Sequence, residues 1–239
     1  MDVGGGDVAW FMSRADTDWI GALPEYVRAK VSAASERRTL PAGTLIYERD
    51  AAPDGVFRLI SGRAKAYFLA KDGREAILKI CTPTEVIGDI ASIDGAPRAV
   101  FAETLTACRF DFLPIARFNE IRAMHREVDA ALVRSTTLHL RDALQLIEEL
   151  MSFGLQARVA MRLHWIANQH CTGRQEKIEL DIAQSDLALM VGVSRQTINR
   201  VLGELEAFGA IKTKYGSITV NSLKKLQDFA AHASKSAPN

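Results

Sequence analysis

Apolar residues in the first part of the chain recur at helical spacing and then change period. Ile20, Leu23, Val27 and Val31 follow one another at intervals of three and four, which predicts a helix over Trp19–Ala34. Ahead of it, residues 1–18 carry three consecutive glycines and read as a lead-in with one short helix around Val8–Met12. From Arg38 to Phe112 the runs shorten. Apolar or alternating segments at Thr44–Tyr47, Val56–Ile60, Ala64–Leu69, Ala76–Ile80 and Cys108–Leu113 are separated by turn signals at Pro41-Ala42-Gly43, Pro53-Asp54-Gly55, Ser61-Gly62, Lys71-Asp72-Gly73 and Asp94-Gly95. Closely spaced strands of this kind predict a small antiparallel barrel or jelly roll.

Beyond Pro114 the turns cease, and Arg122–Ser152 holds no Gly or Pro, which predicts one long helix. Its second half carries two apolar stripes, Leu140, Leu144, Ile147 and Met151 on one and Leu146, Leu150 and Phe153 on the other. One stripe covers the helix's own domain. The second calls for a partner helix, the same helix of another subunit, unless both are buried within one chain. Gly154 offers a hinge, and Leu155–His170 is a further helix with Val159, Leu163 and Ile166 on one face. The pattern divides the chain into an α+β arrangement: a barrel over residues 1–121, a long dimerisation helix over 122–153 and a helical unit over 154–239, whose tail from Lys235 to Asn239 reads as disordered.

Within the last unit, Gln184–Phe208 reads as two helices joined by a tight turn. The first is Ser185–Met190, with Leu187, Ala188 and Val191 buried and Asp181 or Ser185 as its cap. Gly192 falls where the turn requires positive φ, and Ser194 caps the second helix. There Ile198, Val201, Leu202, Leu205 and Phe208 form the apolar face, leaving Arg195, Gln196, Asn199, Arg200 and Gly203 outside it. A DNA major groove admits a helix and offers paired acceptors on guanine and an acceptor–donor pair on adenine, which match Arg and the Gln or Asn amide. Ala210–Thr213 and Ser217–Val220 follow as a hairpin whose Lys212 and Lys214 suit phosphates, a wing beside the two helices. A solvated helical hairpin would show the same polar face but would not need the turn glycine and cap.

Charge supports this division. Residues 1–153 carry 19 Lys+Arg against 22 Asp+Glu, and residues 154–239 carry 11 against 7, so the positive end is the one with the helix pair. Apolar residues make up 48% and charged residues 25%, as in globular proteins, and no stretch approaches the roughly 18 apolar residues of a membrane helix. With no secretory core at the start, a cytoplasmic location is expected. Cys81, Cys108 and Cys171 are odd in number and far apart, and read as small buried hydrophobes rather than disulfide or zinc ligands. No nucleophile, base and orienting acid recur at catalytic spacing, and phosphate-loop and metal motifs are absent, so no catalytic residue and no metal site is expected.

The segment Val193-Ser194-Arg195-Gln196-Thr197-Ile198-Asn199-Arg200-Val201-Leu202 resembles the recognition helix of the Crp/Fnr family of bacterial transcription regulators, and the resemblance extends over nearly the whole chain. It implies a cyclic-nucleotide-binding-like barrel, a dimerisation helix and a winged helix-turn-helix, with double-stranded DNA, a second copy and RNA polymerase as partners. Arg195, Gln196 and Arg200 become the base readers and Asn199 a fourth. Gln196 departs from the family's usual Glu, and an amide pairs with adenine where a carboxylate accepts from cytosine. A second segment, Val86 to Ala99, is similar to the family's phosphate-binding cassette. By that resemblance Gly88, Asp89 and Ile90 open a short helix, Arg98 meets the phosphate and Asp89 the ribose. His139, Ala143 and Leu144 lie on the long helix beside it.

Four positions depart from a cyclic AMP site. Asp89 is one methylene short of Glu, Ala99 lacks a hydroxyl, and Ala143 and Leu144 replace the Thr-Ser pair that holds the purine. The expectation is therefore no bound cofactor, with the cassette an inherited turn in which Arg98 pairs with Asp89 or another local carboxylate, or a site for a different effector; cyclic nucleotide remains the third reading. Iron–sulfur members need clustered N-terminal cysteines, and none precedes Cys81. Haem members need axial ligands; Cys81 and His139 are the candidates, read instead as a buried thiol and a solvated or ion-paired imidazole. A regulatory module working through protein partners without DNA is the alternative to a DNA-binding regulator.

Overall fold

A computed structural model describes residues 18–170, 177–214 and 216–235, so the expectations for Val8–Met12, Cys171 and the last four residues lie outside the described residues. The described chain divides into two compact units between Leu144 and Gln145. In the first, helix α1 (Glu25–Ala34) precedes eight strands: β1 (Glu36–Leu40), β2 (Leu45–Tyr47), β3 (Gly55–Ser61), β4 (Ala64–Leu69), β5 (Glu75–Cys81), β6 (Val86–Ile87), β7 (Phe101–Thr104) and β8 (Cys108–Pro114). A six-residue helix, α2 (Asp89–Asp94), joins β6 to β7. Helix α3 (Ile115–Met124) and the start of α4 (Arg126–Ser152) complete the unit.

All strand pairs are antiparallel, in two four-stranded sheets ordered β1-β8-β3-β6 and β2-β7-β4-β5. Between the sheets lies a core of Phe57, Leu59, Ala64, Cys81, Ala102, Phe110 and Phe112, with the Phe57 and Phe112 rings 4.6 Å apart. A second core holds Val56 and Leu113 with Trp19 and residues of three helices: Val27 and Val31 of α1, Phe118 and Ile121 of α3, Val128 and Leu132 of α4. Strands β3 and β8 serve both cores. They pair Val56 with Leu113 and Phe57 with Phe112, and successive side chains alternate between faces. Two-sided burial is confined to the Val56–Leu113 end; farther along, Arg58, Arg109 and Asp111 alternate with the buried positions.

Three expectations in this unit need correction. The helix over Trp19–Ala34 begins only at Glu25, because Pro24 stands extended at its N-cap and has no N–H to continue a helix from Ile20. Residues before it form a turn closed by Asp18, whose carboxylate accepts from the Gly21 N–H at 2.9 Å. The helix over Arg122–Ser152 is broken at His125, which is extended (φ −134°, ψ 99°). A straight helix would carry Leu132 about 20 Å along its axis from Phe118. The break returns both to one core, and no Gly or Pro marks it. Strands β1, β6 and β7 carry no clear alternation and have no counterpart in the sequence pattern.

In the second unit, α5 (Leu155–His170) coincides with its predicted span. It is followed by β9 (Ile178–Leu180), α6 (Gln184–Val191), α7 (Arg195–Ala207), β10 (Ile211–Lys214), β11 (Ser217–Val220) and α8 (Leu223–Lys235). The strands form one antiparallel sheet ordered β10-β11-β9. Fully buried Leu163, Leu187, Ile198, Leu202, Leu205 and Leu226 come from α5, α6, α7 and α8. Phe208 departs from expectation. It ends α7 rather than joining the apolar face, is 43% exposed, and lies edge-on to Phe229 of α8 at 5.4 Å.

Candidate nucleic-acid interface and sensor cassette

Helix α7 is delimited at both ends by local chemistry. Gly192 terminates α6 at φ 77°, with its N–H and that of Val193 both donating to the Ala188 carbonyl, so the chain turns sharply in the left-handed region that glycine permits. Two residues on, the Ser194 hydroxyl accepts from the Thr197 N–H at 3.1 Å and caps α7. The first helix is capped differently from expectation. Ala183 is its N-cap with no side-chain bond, and its carbonyl takes the Asp186 and Leu187 N–H groups, so neither Asp181 nor Ser185 has that role.

On α7 the buried positions Ile198, Val201, Leu202 and Leu205 occupy one side. Arg195, Gln196, Asn199 and Arg200 are all exposed on the opposite arc. The Arg200 guanidinium bonds Glu204 one turn later at 3.0 Å. Lys212 and Lys214 are exposed on β10, and Lys214 stands 3.7 Å from Glu179 of β9. The hairpin strand β10 is clasped to α7: Glu206 accepts from the Thr213 N–H at 2.7 Å and from its hydroxyl. Sequence reasoning found Ser194 and the exposed arc. It missed Glu204, Glu206 and Glu179, since acidic residues beside a basic surface carry no pattern of their own.

The long helix bears an exposed apolar row. Val133, Leu140, Leu144, Ile147, Leu150 and Met151 are between 52% and 82% exposed, whereas Leu146 and Phe153 of the other anticipated stripe are partly covered. Val133, Leu140, Leu144, Ile147 and Met151 follow the alternating three- and four-residue spacing of a coiled-coil seam.

The cassette in the first unit gathers Gly88, Asp89 and Arg98, with His139 facing Asp89 from α4. Gly88 has φ 87°, and a Cβ there would stand 2.3 Å from Arg98 Nη1, so both backbone and space demand glycine. Arg98 is 1% exposed and committed. Its Nη2 donates to Asp54 Oδ1 at 2.8 Å and to the Gly55 carbonyl at 2.7 Å, Nη1 donates to the Gly88 carbonyl, and the guanidinium lies 4.3 Å over the Tyr47 ring. Asp89 takes the Ile90 N–H on Oδ1, while its buried Oδ2 has no partner; burial pushes its carboxyl pKa up, opposed by His139. Burial in turn pulls the His139 pKa down, opposed by Asp89.

Ile90, Ala99, Ala143 and Leu144 are exposed. The Arg98 guanidinium is paired with Asp54, whose own side chain is half exposed, and Ala143 and Leu144 carry no side-chain hydrogen-bonding group. Burial pushes the Cys81 thiol up to about 12. Among the described residues no group of three or more His, Cys, Asp or Glu is placed to hold a metal ion, and no helix is long and apolar enough to cross a membrane.

Known proteins share both halves of this arrangement. Residues 37–125 match the cyclic nucleotide-binding domain and residues 157–229 the Crp-like helix-turn-helix domain. The chain is 27% identical over 188 residues to the CRP-like cAMP-activated global transcriptional regulator of Mycobacterium tuberculosis, a match that covers 78% of this chain and 84% of that one. It superimposes on the crystal structure of a CRP/FNR-family transcriptional regulator from Thermus thermophilus with TM-score 0.67 and 27% identity, over 83% of this chain and 100% of that one. A CooA variant from Carboxydothermus hydrogenoformans, 19% identical with TM-score 0.74 over 92% and 98% of the two chains, shares the fold. With both domain models matched along it and relatives aligned over most of its length, the chain belongs to the Crp/Fnr family of DNA-binding transcription regulators.

Proposed function

We propose that the protein regulates transcription as a homodimer, pairing through the exposed row on α4 and inserting its two α7 helices into successive major grooves of a palindromic site. The observation that carries this reading is the solvent face of α7, where two Arg, one Gln and one Asn stand within six residues on a Ser-capped helix. Arg195 and Arg200 read guanines, Gln196 and Asn199 read adenines, and Lys212 and Lys214 meet phosphates. Gln196 shifts the half-site toward an adenine at the step where the family's Glu accepts from cytosine. The protein acts in the cytoplasm beside RNA polymerase and is no enzyme.

The regulator from Mycobacterium tuberculosis is cAMP-activated, and in our reading that control does not carry over. Arg98 is held by Asp54 and two carbonyls, and the barrel is either a structural element or a sensor of some effector other than cyclic AMP. The test is selection from random duplexes with the wild-type protein at two salt concentrations. Enrichment of a two-fold-symmetric sequence is expected, with affinity falling as salt rises through counterion release. Enrichment of a single asymmetric site would remove the dimer, and no enrichment would remove sequence-specific binding. Calorimetric titration with cyclic AMP should give no heat of binding; saturable binding would overturn our view of Arg98.

A further inference from the structure

The end of α4 is joined to its unit by a buried charged contact. Among Gln145–Ser152, Glu149 is the one fully buried residue, at 6% exposure, while Ile147, Leu150 and Met151 face solvent. Its carboxylate accepts from Arg162 Nη2 on α5 at 3.2 and 3.4 Å, and Arg162 is itself only 8% exposed. Arg158, one turn earlier on α5, sets its Nε 4.0 Å from the same carboxylate and extends Nη2 to the Val191 carbonyl at 2.8 Å. Val191 is the last residue of α6, and Gly192 follows it as the turn into α7.

A chain of charged contacts thus runs from the last turns of α4, through α5, to the turn that aims α7. Apolar surfaces tolerate sliding and rotation, but charge-assisted hydrogen bonds between buried groups hold a distance and an angle. The arrangement is costly in desolvation: burial pushes the Glu149 pKa up, opposed by Arg162 and Arg158. An apolar side chain would fill this place more cheaply, yet the joint is ionic.

We propose that Glu149 is a positioning residue for DNA reading, which with Arg162 and Arg158 fixes the angle between the last two turns of α4 and the helix-turn-helix, and so the spacing of half-sites the protein accepts. This rests on the DNA-reading dimer proposed above. Bound as one dimer, two α7 helices reach their grooves together only if each is held at one angle to its α4. Loosening the joint leaves each helix competent on its own half-site and removes the demand for one spacing.

Two variants test this. Glu149→Gln keeps the shape and removes the charge. Glu149→Leu combined with Arg162→Leu fills the site with apolar groups and removes both charges of the closest pair, leaving Arg158 its bond to the Val191 carbonyl. Binding is measured on a single half-site and on palindromes whose spacer is one base pair shorter, native or one longer. Wild type should favour one spacer by at least about tenfold, as expected for half-sites set by helical phase. Both variants should keep half-site affinity to within about twofold, as expected for a change remote from the bases, while their spacer preference collapses.

A second readout needs no DNA: the distance between spin labels on Glu148→Cys and Ala207→Cys, in chains diluted with unlabelled protein. A narrow distribution in wild type that broadens in both variants supports the proposal. Folded variants that keep a narrow distribution and the full spacer preference overturn it. Should wild type prefer no sequence, the DNA reading fails, and the distance measurement alone decides the role of Glu149.

Discussion

Replacing Arg200 by Ala separates base reading from general attraction to DNA. The Arg200 guanidinium is exposed, and its one bond is to Glu204 at 3.0 Å, an i,i+4 pair worth about 0.3–0.5 kcal/mol. A bidentate contact from Arg to guanine is worth about 1–3 kcal/mol. After subtracting the ion pair that must open, the net contribution is roughly 0.5–2.5 kcal/mol per half-site, or about 1–5 kcal/mol over a palindrome. That predicts a loss of between about fivefold and a few thousandfold on the selected site. On shuffled duplex the variant loses only one cation near phosphate, and the loss should stay below about tenfold. Anisotropy titrations of both duplexes at one salt concentration give the ratio directly. The melting temperature should barely move, because exposed side chains of this kind change stability by less than about 0.5 kcal/mol. Equal losses on the two duplexes would refute the base-reading role.

Other consequences follow from the geometry. Ser194→Ala removes the acceptor for the Thr197 N–H and should lower stability by about 1 kcal/mol, with Ser194→Asp restoring most of it in thermal melts. Phe110→Ala, at a wholly buried site between the barrel sheets, should cost about 3–5 kcal/mol by urea denaturation. Burial pulls the His164 pKa down to about 4, below the ordinary 6.5. Its folded form therefore binds fewer protons than its unfolded form between those values, and its contribution is lost as pH falls. At pH 5 the second unit should be about 2 kcal/mol less stable than at pH 7 when followed by Trp165 fluorescence, and His164→Gln should flatten the profile. Asp142 runs the other way in the first unit. Burial raises its pKa to about 6, so its contribution is present at low pH and lost as pH rises through 6, and Asp142→Asn should remove that dependence.

What could be read in the sequence was whatever a local pattern decides. Helix α5, strand β4 and the capped α7 each carry their own period and punctuation, and the structure returns them almost residue for residue. Strand β7 (Phe101–Thr104) has no such signature; it exists because β2 and β4 pair with it from either side, at positions far along the chain. The break at His125 is likewise a demand of the shared core rather than of any breaker residue. The exposed members of the proposed DNA-reading set were legible as an exposed arc because an apolar face on α7 defines its opposite. Partners of buried charges were not: nothing local marks Asp54 as the mate of Arg98, or Glu149 as the mate of Arg162.

Strands β3 and β8 enter two cores at once, and this limits how the barrel can change length over evolution. An inserted residue in either strand would shift the alternation by one, sending Phe57 or Phe112 into the space shaped for Val56 or Leu113 and the reverse. A strand with one wet face exchanges burial for exposure in such a slip and can be rescued from one side. Here both faces would be mispacked at the Val56–Leu113 end, and no single compensating substitution repairs them. Insertions and deletions in homologues should therefore gather in the β4–β5 turn at Lys71–Gly73, where the chain is exposed on every side, and avoid these two strands.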